Sequence, residues 1–147
     1  MRFLALCSAL LLALTVSACS KNDSSPSTTQ AYDVTALVST DSIVGTGTVA
    51  SAGRIITVHY TGWLYNPNQP GNKGSQFDSS VARNQPYSFT LGAGTVIRGW
   101  DQGVAGMRVG GTRTLIIPST LGYGSSGNSS IPPNSALVFD IQLLNVQ

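Results

Sequence analysis

The sequence predicts an α+β fold in which an antiparallel β-sheet curls over one short α-helix. Short runs rich in β-branched and aromatic residues recur after residue 30, as is typical of strands. Most of the 16 glycines lie in pairs or beside serine, asparagine or proline, where turns are expected. One segment, near residue 100, spaces its apolar residues with a helical period. These three observations together favour a mostly β domain with a single helix.

Residues 1–18 are predicted to be a bacterial lipoprotein signal peptide. Arg2 supplies a positive charge, and the apolar run over residues 3–16 is shorter than the roughly 20 residues that a membrane span needs. The run ends at Val16-Ser17-Ala18-Cys19, which resembles a lipobox. Cleavage would leave Cys19 as the only cysteine, and a lipid anchor explains an exported thiol that has no disulfide partner. The alternative is an ordinary signal peptide that is cleaved at the same place.

The residues after the cleavage site predict a tether and then one domain. Ser20 is not the aspartate associated with inner-membrane retention, which favours an outer-membrane lipoprotein facing the periplasm. Residues 19–30 are predicted to be the lipidated cysteine and a flexible tether, because residues 22–30 offer no apolar side chain to bury. Residues 31–147 are enough for one domain with its own core.

Six segments are predicted to be strands, and the longest of them, residues 54–65, is β-branched and aromatic throughout. In chain order the six segments are residues 32–38, 54–65, 76–78, 87–91, 112–117 and 136–146. Residues 66–75 and 121–133 are rich in proline, glycine and asparagine, so both are predicted to be loops.

The predicted helix follows the extended residues Val96 and Ile97. Ile97, Trp100 and Val104 are spaced i, i+3 and i+7, which places them on one helical face. Two glycines, at 99 and 103, each cost about 1 kcal/mol relative to alanine in a helix. Such a helix is stable only if its apolar face packs on the sheet.

Common catalytic and metal-binding patterns are missing from the sequence. Residues 122–127 match G-x-G-x-x-G, but Pro132 and Pro133 follow too soon for a nucleotide-binding βα unit, so a turn is predicted. His59 is the only histidine and is predicted to be structural, since a metal site needs several ligands. No G-x-S-x-G elbow and no paired carboxylates occur. We therefore expect neither a metal nor a cofactor.

The charge pattern argues against a nucleic-acid partner. Without Arg2, seven basic residues face six aspartates, there is no glutamate, and no run of like charge occurs.

The dispersed aromatic residues remain, and by themselves they allow two interpretations: a plain core, or the lining of one pocket. Alternation along residues 87–91 predicts that Phe89 is core. Asp78 could simply cap a turn with Ser79 and Ser80.

Six ordered motifs resolve this choice by resemblance. They strongly resemble those of the FKBP-type peptidyl-prolyl cis-trans isomerases, over essentially all of residues 32–147. The motifs are His59-Tyr60-Thr61-Gly62, Phe77-Asp78-Ser79-Ser80, Val96-Ile97-Arg98-Gly99-Trp100, Leu121-Gly122-Tyr123-Gly124, Ile131-Pro132-Pro133-Asn134 and Leu137-Val138-Phe139-Asp140.

The resemblance implies a half-open antiparallel sheet wrapped around the helix, with a substrate pocket between them. Asp78 and Tyr123 would be the catalytic polar groups, and Trp100 would form the pocket floor. The other substrate-binding residues would be Tyr60, Phe77, Tyr87, Val96, Ile97, Ile131 and Phe139.

The resemblance also implies an activity and its partners. The expected activity is cis-trans isomerisation of X-Pro bonds in exported proteins, with no covalent intermediate. The expected partners are proline-containing polypeptides and macrolide inhibitors, and the membrane only through the N-terminal lipid. We expect a monomer, because no long helical dimerisation arm precedes the domain. The alternative is a proline-peptide-binding module or folding chaperone that uses the same pocket without relevant turnover.

Three departures from the family pattern limit what the resemblance implies, and the first two affect loops that would meet substrate. The segment over residues 65–76 is longer than in minimal members, and the loop over residues 121–133 is about one residue shorter. Asn128 stands where familiar eukaryotic members carry histidine, and Tyr87 replaces a phenylalanine. Peptide preference is therefore expected to differ more than the pocket base.

Overall fold

The computed structural model describes residues 31–147, so the predicted signal peptide, the lipidation site Cys19 and the tether lie outside the described residues. The described chain forms one antiparallel sheet and one α-helix, which confirms the predicted fold class. The strands are β1 (Val38–Ile43), β2 (Ile55–Tyr65), β3 (Lys73–Ser79), β4 (Tyr87–Thr90), β5 (Thr112–Ile117) and β6 (Leu137–Val146), and the helix is α1 (Arg98–Gly103).

The sheet runs β1-β5-β6-β2-β3, and β4 also pairs with β2. All these pairings are antiparallel, and the long strand β2 joins three others. Short 3-10 helices lie at Pro70–Asn72 and Ser119–Leu121. No helix within residues 31–147 has the length and apolar character needed to cross a membrane.

The predicted first strand was wrong in position. Residues 32–37 are not in the sheet, and the strand occupies Val38–Ile43, where it pairs with β5. This strand lies at the sheet edge and every residue in it is exposed, so no apolar alternation marks it in the sequence. The carbonyl of Tyr32 and the carboxylate of Asp33 instead accept hydrogen bonds from Ala136 and Ser119.

The third strand is longer than predicted, because it begins at Lys73 rather than at Gln76. Lys73 lies opposite Tyr65, its ammonium is 2.6 Å from Asp140 Oδ2, and it sits 4.7 Å from the centre of the Trp63 ring. Tertiary contacts thus hold a Lys-Gly-Ser segment in a sheet despite its weak strand preference.

The glycines of α1 explain how the helix packs. A Cβ placed at Gly99 would lie 2.4 Å from Ile117 Cγ2, and one at Gly103 would lie 2.6 Å from Leu115 Cδ1. The two glycines therefore let the helix lie directly on β5, and Trp100 is buried as a result. Residues that weaken the isolated helix are the ones that its docking requires.

Arg113 holds the C-terminal end of the helix. Its guanidinium donates to the carbonyls of Gly103 at 2.8 Å and Ala105 at 3.2 Å. The same group donates two hydrogen bonds, at 2.6 and 2.9 Å, to the carboxylate of Asp41 on β1. The hydrogen bonds from Arg113 lower the pKa of Asp41, although burial opposes this. A cation at the negative end of a helix is favourable, so Arg113 ties α1 to the sheet edge.

Candidate functional site

An open-mouthed cavity of about 450 Å³ lies between the sheet and α1. Strands β2, β3, β4 and β6, the loop before α1, the helix itself and the loop before β6 all contribute to it. Every residue predicted to contact substrate lines this cavity, with the exception of Ile131. The lining residues are Tyr60, Phe77, Asp78, Tyr87, Thr95, Val96, Ile97, Trp100, Tyr123 and Phe139.

The floor of the cavity is Trp100, which is only 4% exposed. Its ring is 5.0 Å from that of Tyr60 and 5.3 Å from that of Phe139, and both pairs are nearly perpendicular. Phe89 is buried and its ring lies 5.6 Å from Trp100 without lining the cavity, as its predicted core position requires. Edge-to-face packing of this kind orients each ring, so the indole of the floor is held in a defined orientation.

One wall depends on a glycine within β2. Phe77 and Phe139 pack edge to face with ring centres 5.5 Å apart. A Cβ at Gly62 would lie 2.7 Å from an atom of each ring. Gly62 belongs to one of the six motifs, but its packing role was not predicted; a glycine in the middle of a strong strand is the signal that the sequence offers.

A second wall is formed by Tyr87 on β4 and the loop before the helix. Thr95, Val96 and Ile97 line the cavity, and Ile97 is the N-cap residue of α1 with extended backbone. Asp101 braces the same loop, because its carboxylate accepts hydrogen bonds from the N–H groups of residues 92 and 94 at 2.8 and 3.1 Å. Thr95 was missed from the sequence, since no pattern separates it from an ordinary loop residue.

The polar rim centres on Asp78. Its carboxylate accepts hydrogen bonds from the Tyr60 hydroxyl, the Arg83 guanidinium and the Ser79 N–H. Burial raises the pKa of Asp78, but the hydrogen bonds from Arg83 and Tyr60 outweigh it, so the pKa is below its usual value. The hydroxyl of Ser79, not Asp78, accepts from the Ala82 N–H in the turn that follows, and Asp78 presents a charged carboxylate at the cavity.

Arg83 is a rim residue that sequence reasoning missed. It is exposed, and it contacts both Asp78 and the Tyr60 hydroxyl. The pKa of Tyr60 is raised by burial of its side chain and by the hydrogen bond that its hydroxyl donates to Asp78. The only signal in the sequence was a cation five residues after the carboxylate.

Tyr123 contributes a hydroxyl from the loop between β5 and β6. Its side chain is 39% exposed and lines the cavity. Burial raises the pKa of Tyr123, and the negative charge of Asp78 raises it further. The hydroxyl therefore keeps its proton at neutral pH and remains a hydrogen-bond donor.

Ile131 is the one predicted contact residue that the structure does not bring to the cavity. It is 2% exposed and belongs to the hydrophobic core. Asn128 turns the loop inward, because its side-chain oxygen accepts from the Ile131 N–H at 2.9 Å and its own N–H donates to the Ile131 carbonyl at 2.8 Å.

His59 packs away from the cavity and contacts a neighbouring serine. His59 Nδ1 lies 3.0 Å from the Ser80 hydroxyl. Within residues 31–147 no three histidine, cysteine, aspartate or glutamate residues come close enough to hold a metal ion.

An antiparallel sheet with one short helix, enclosing an aromatic cavity with an unreactive polar rim, defines a class of small domains suited to binding apolar groups. The comparison with known families is more specific. The profile described as FKBP-type peptidyl-prolyl cis-trans isomerase matches residues 47–144, so the chain belongs to this family.

Individual relatives agree with this assignment. The chain is 52% identical over 103 residues to the FK506-binding protein of Neisseria meningitidis serogroup B, covering 69% of this chain and 88% of that protein. It is 50% identical over 96 residues to FK506-binding protein 2 of Dictyostelium discoideum, covering 65% of this chain and 67% of that protein.

Two crystal structures are similar in fold. AtFKBP13 superposes with a TM-score of 0.67 at 41% identity, covering 76% of this chain and 93% of that one. FkpA from Escherichia coli superposes with a TM-score of 0.66 at 39% identity over 76% of this chain. The superposition covers 48% of FkpA, so the chain matches about half of that protein.

Proposed function

We propose that this protein accelerates cis-trans isomerisation of X-Pro peptide bonds in exported polypeptides, using the cavity above Trp100. The observation that carries the proposal is the cavity itself: an indole floor, aromatic and aliphatic walls, and the protonated hydroxyl of Tyr123 at the rim. Membership of the FKBP-type family supports the same activity.

Prolyl isomerisation suits a site of this composition. Rotation about the amide must cross a barrier of about 18–20 kcal/mol, but no covalent bond breaks. Twisting returns charge from the carbonyl oxygen to the nitrogen, so the twisted amide is less polar than the planar one. An apolar cavity that excludes water therefore favours the twisted form relative to the planar form.

The energetic requirement is modest. An acceleration of about 10⁴-fold needs only about 5.5 kcal/mol, since each factor of ten corresponds to about 1.36 kcal/mol. A few contacts that strengthen as the amide twists are sufficient.

Each part of the cavity has a role in this proposal. The pyrrolidine ring packs on the face of Trp100, and the Tyr123 hydroxyl or the Ile97 N–H donates to a substrate carbonyl and so orients it. Asp78 fixes the Tyr60 side chain through its hydrogen bond and keeps a polar, charged group at the edge of the apolar cavity. The same apolar floor and polar rim would accept a macrolide of the kind named in the relatives.

The enzymatic proposal is tested with a proline-containing peptide whose trans form is cleaved by a protease. Wild-type protein should accelerate the slow phase. Trp100→Ala should abolish the acceleration, and circular dichroism checks that this variant is folded, since loss of a buried tryptophan costs about 3–5 kcal/mol.

Tyr123→Phe is the gentler variant, because it removes only the exposed hydroxyl. It should lower kcat/KM about two- to tenfold, as a net hydrogen bond contributes about 0.5–1.5 kcal/mol. Ser42→Ala, on the exposed strand β1, serves as the control and should match wild type. No acceleration by wild-type protein would refute isomerase activity, and saturable peptide binding without acceleration would indicate the binding-module alternative.

We also propose that Cys19 is lipidated and that residues 19–30 tether the domain to the envelope. Support comes from the lipobox-like Val16-Ser17-Ala18-Cys19. Cells grown with radiolabelled palmitate should label the wild-type protein but not Cys19→Ser. Equal labelling of both, or labelling of neither, would contradict the anchor.

A further inference from the structure

The N-terminal segment of the domain, at Tyr32 and Asp33, contacts both ends of the loop that carries Tyr123. The carbonyl of Tyr32 accepts a hydrogen bond from the Ala136 N–H at 2.7 Å, just before β6. Asp33 Oδ1 accepts from the Ser119 N–H at 2.8 Å, and the Ser119 hydroxyl donates to Asp33 Oδ2 at 2.5 Å, just after β5. Two consecutive residues therefore hold the start and the end of the same loop.

The hydrogen bonds continue from Ser119 to Tyr123. Ser119 is 3% exposed, so its backbone is fixed inside the fold. Its carbonyl accepts from the N–H of Gly122 and of Gly124, both at 2.9 Å. These two glycines flank Tyr123 on either side. Any displacement of Ser119 therefore moves the peptide planes that set where the Tyr123 hydroxyl points.

We propose that Asp33 is a positioning residue, which acts through Ser119 to hold Tyr123 at the rim of the cavity. The proposal rests on the function proposed above for Tyr123. Asp33 itself is exposed and does not line the cavity. A purely structural role would only attach the N-terminal segment to the domain, and the two roles differ in what they predict for Tyr123.

A double-mutant cycle on kcat/KM separates the two roles. Asp33→Ala should lower kcat/KM about two- to fivefold. This loss should not exceed the loss that Tyr123→Phe causes. In the Tyr123→Phe background the same substitution should have no further effect, because the hydroxyl that it positions is gone. Equal losses in both backgrounds, or no loss in either, would overturn the proposal.

Two further variants sharpen the cycle. Asp33→Asn keeps an oxygen that accepts from the Ser119 N–H, so it should recover part of the lost rate. Asp140→Ala is the control, because Asp140 also accepts from a hydroxyl, that of Thr114, and from the Lys73 ammonium, but does not line the cavity. It should leave kcat/KM unchanged. A loss of the same size in Asp140→Ala would show that the effect is general and would contradict the proposal.

Amide hydrogen exchange tests the physical link without using catalysis. In the Asp33→Ala variant of the chain from residue 19 to residue 147, the amides of Gly122 and Gly124 should exchange about tenfold faster, since their acceptor carbonyl is less firmly held. Amides of β6 should be unchanged. Unaltered exchange at both glycines would refute the link even if wild type is an isomerase. Faster exchange in a protein without isomerase activity would retain the link and refute the proposed function.

Discussion

Replacing Gly99 by alanine tests whether the helix needs its glycines in order to dock. The added Cβ would lie 2.4 Å from Ile117 Cγ2, 2.9 Å from Cδ1 and 3.0 Å from Cγ1. Carbon atoms in contact normally lie about 3.5–4.0 Å apart, so the overlap exceeds 1 Å. Ile117 is fully buried and β-branched, and it cannot turn away easily.

Two effects of opposite sign decide the magnitude. Alanine stabilises a helix by about 1 kcal/mol relative to glycine. Overpacking a close-packed core costs about 1–3 kcal/mol, and an overlap this large belongs at or beyond the upper end. The substitution should therefore destabilise the domain by about 2 kcal/mol or more, which is a substantial part of a typical total of 5–15 kcal/mol.

The assay is urea unfolding followed by tryptophan fluorescence. Ile117→Ala alone should cost about 2–5 kcal/mol. The double variant should lose less than the sum by about 1–2 kcal/mol, because the new methyl group occupies the space that isoleucine leaves. The docking explanation would be refuted if Gly99→Ala were as stable as wild type. Strictly additive losses in the double variant would also refute it.

Three other predictions follow from the site and from the N-terminal segment. The pKa of Asp33 is lowered: burial opposes this, but the hydrogen bonds from Ser119 outweigh it. Its contribution to stability is therefore present above its unfolded pKa and lost as the pH falls through the folded pKa. Urea unfolding across pH 2–6 should show a smaller acid-dependent loss in Asp33→Asn, and identical pH curves would contradict this. Gly62→Ala should push apart the two phenylalanine rings of the cavity wall and lower kcat/KM at least about tenfold; a fully active variant would show that the wall tolerates displacement. Asp78 has a lowered pKa and Tyr123 a raised one, so both keep one protonation state and the rate on an uncharged peptide should be flat between about pH 5 and 9. A midpoint inside that range would contradict the assignment of these two groups.

The sequence predicted the strands best where one face of a strand is buried and its apolar residues recur regularly. Alternation and β-branching located β2, β5 and β6 nearly to their ends, because each places apolar side chains on the core face. The same signal failed for Val38–Ile43, which is exposed along its whole length and is held by pairing with β5. Such an edge strand depends on tertiary contacts that leave no pattern in the sequence.

The candidate site divides in a similar way. Ordered motifs identified the residues that share the cavity, but they could not supply the contacts between distant loops. Arg83 reaches Asp78 through the turn after β3, and Ile131 faces the core because Asn128 folds its loop inward. Both outcomes depend on loop geometry, which hydrophobic patterns do not describe.

The central claim is that the cavity above Trp100 catalyses rotation about prolyl bonds. Exchange spectroscopy by NMR on a proline-containing peptide measures that rotation directly, without a protease. With a catalytic amount of wild-type protein, exchange peaks between the cis and trans forms should appear, and one equivalent of an FK506-type macrolide per protein should remove them. Exchange that never appears, or that persists when the macrolide saturates the protein, would contradict the claim.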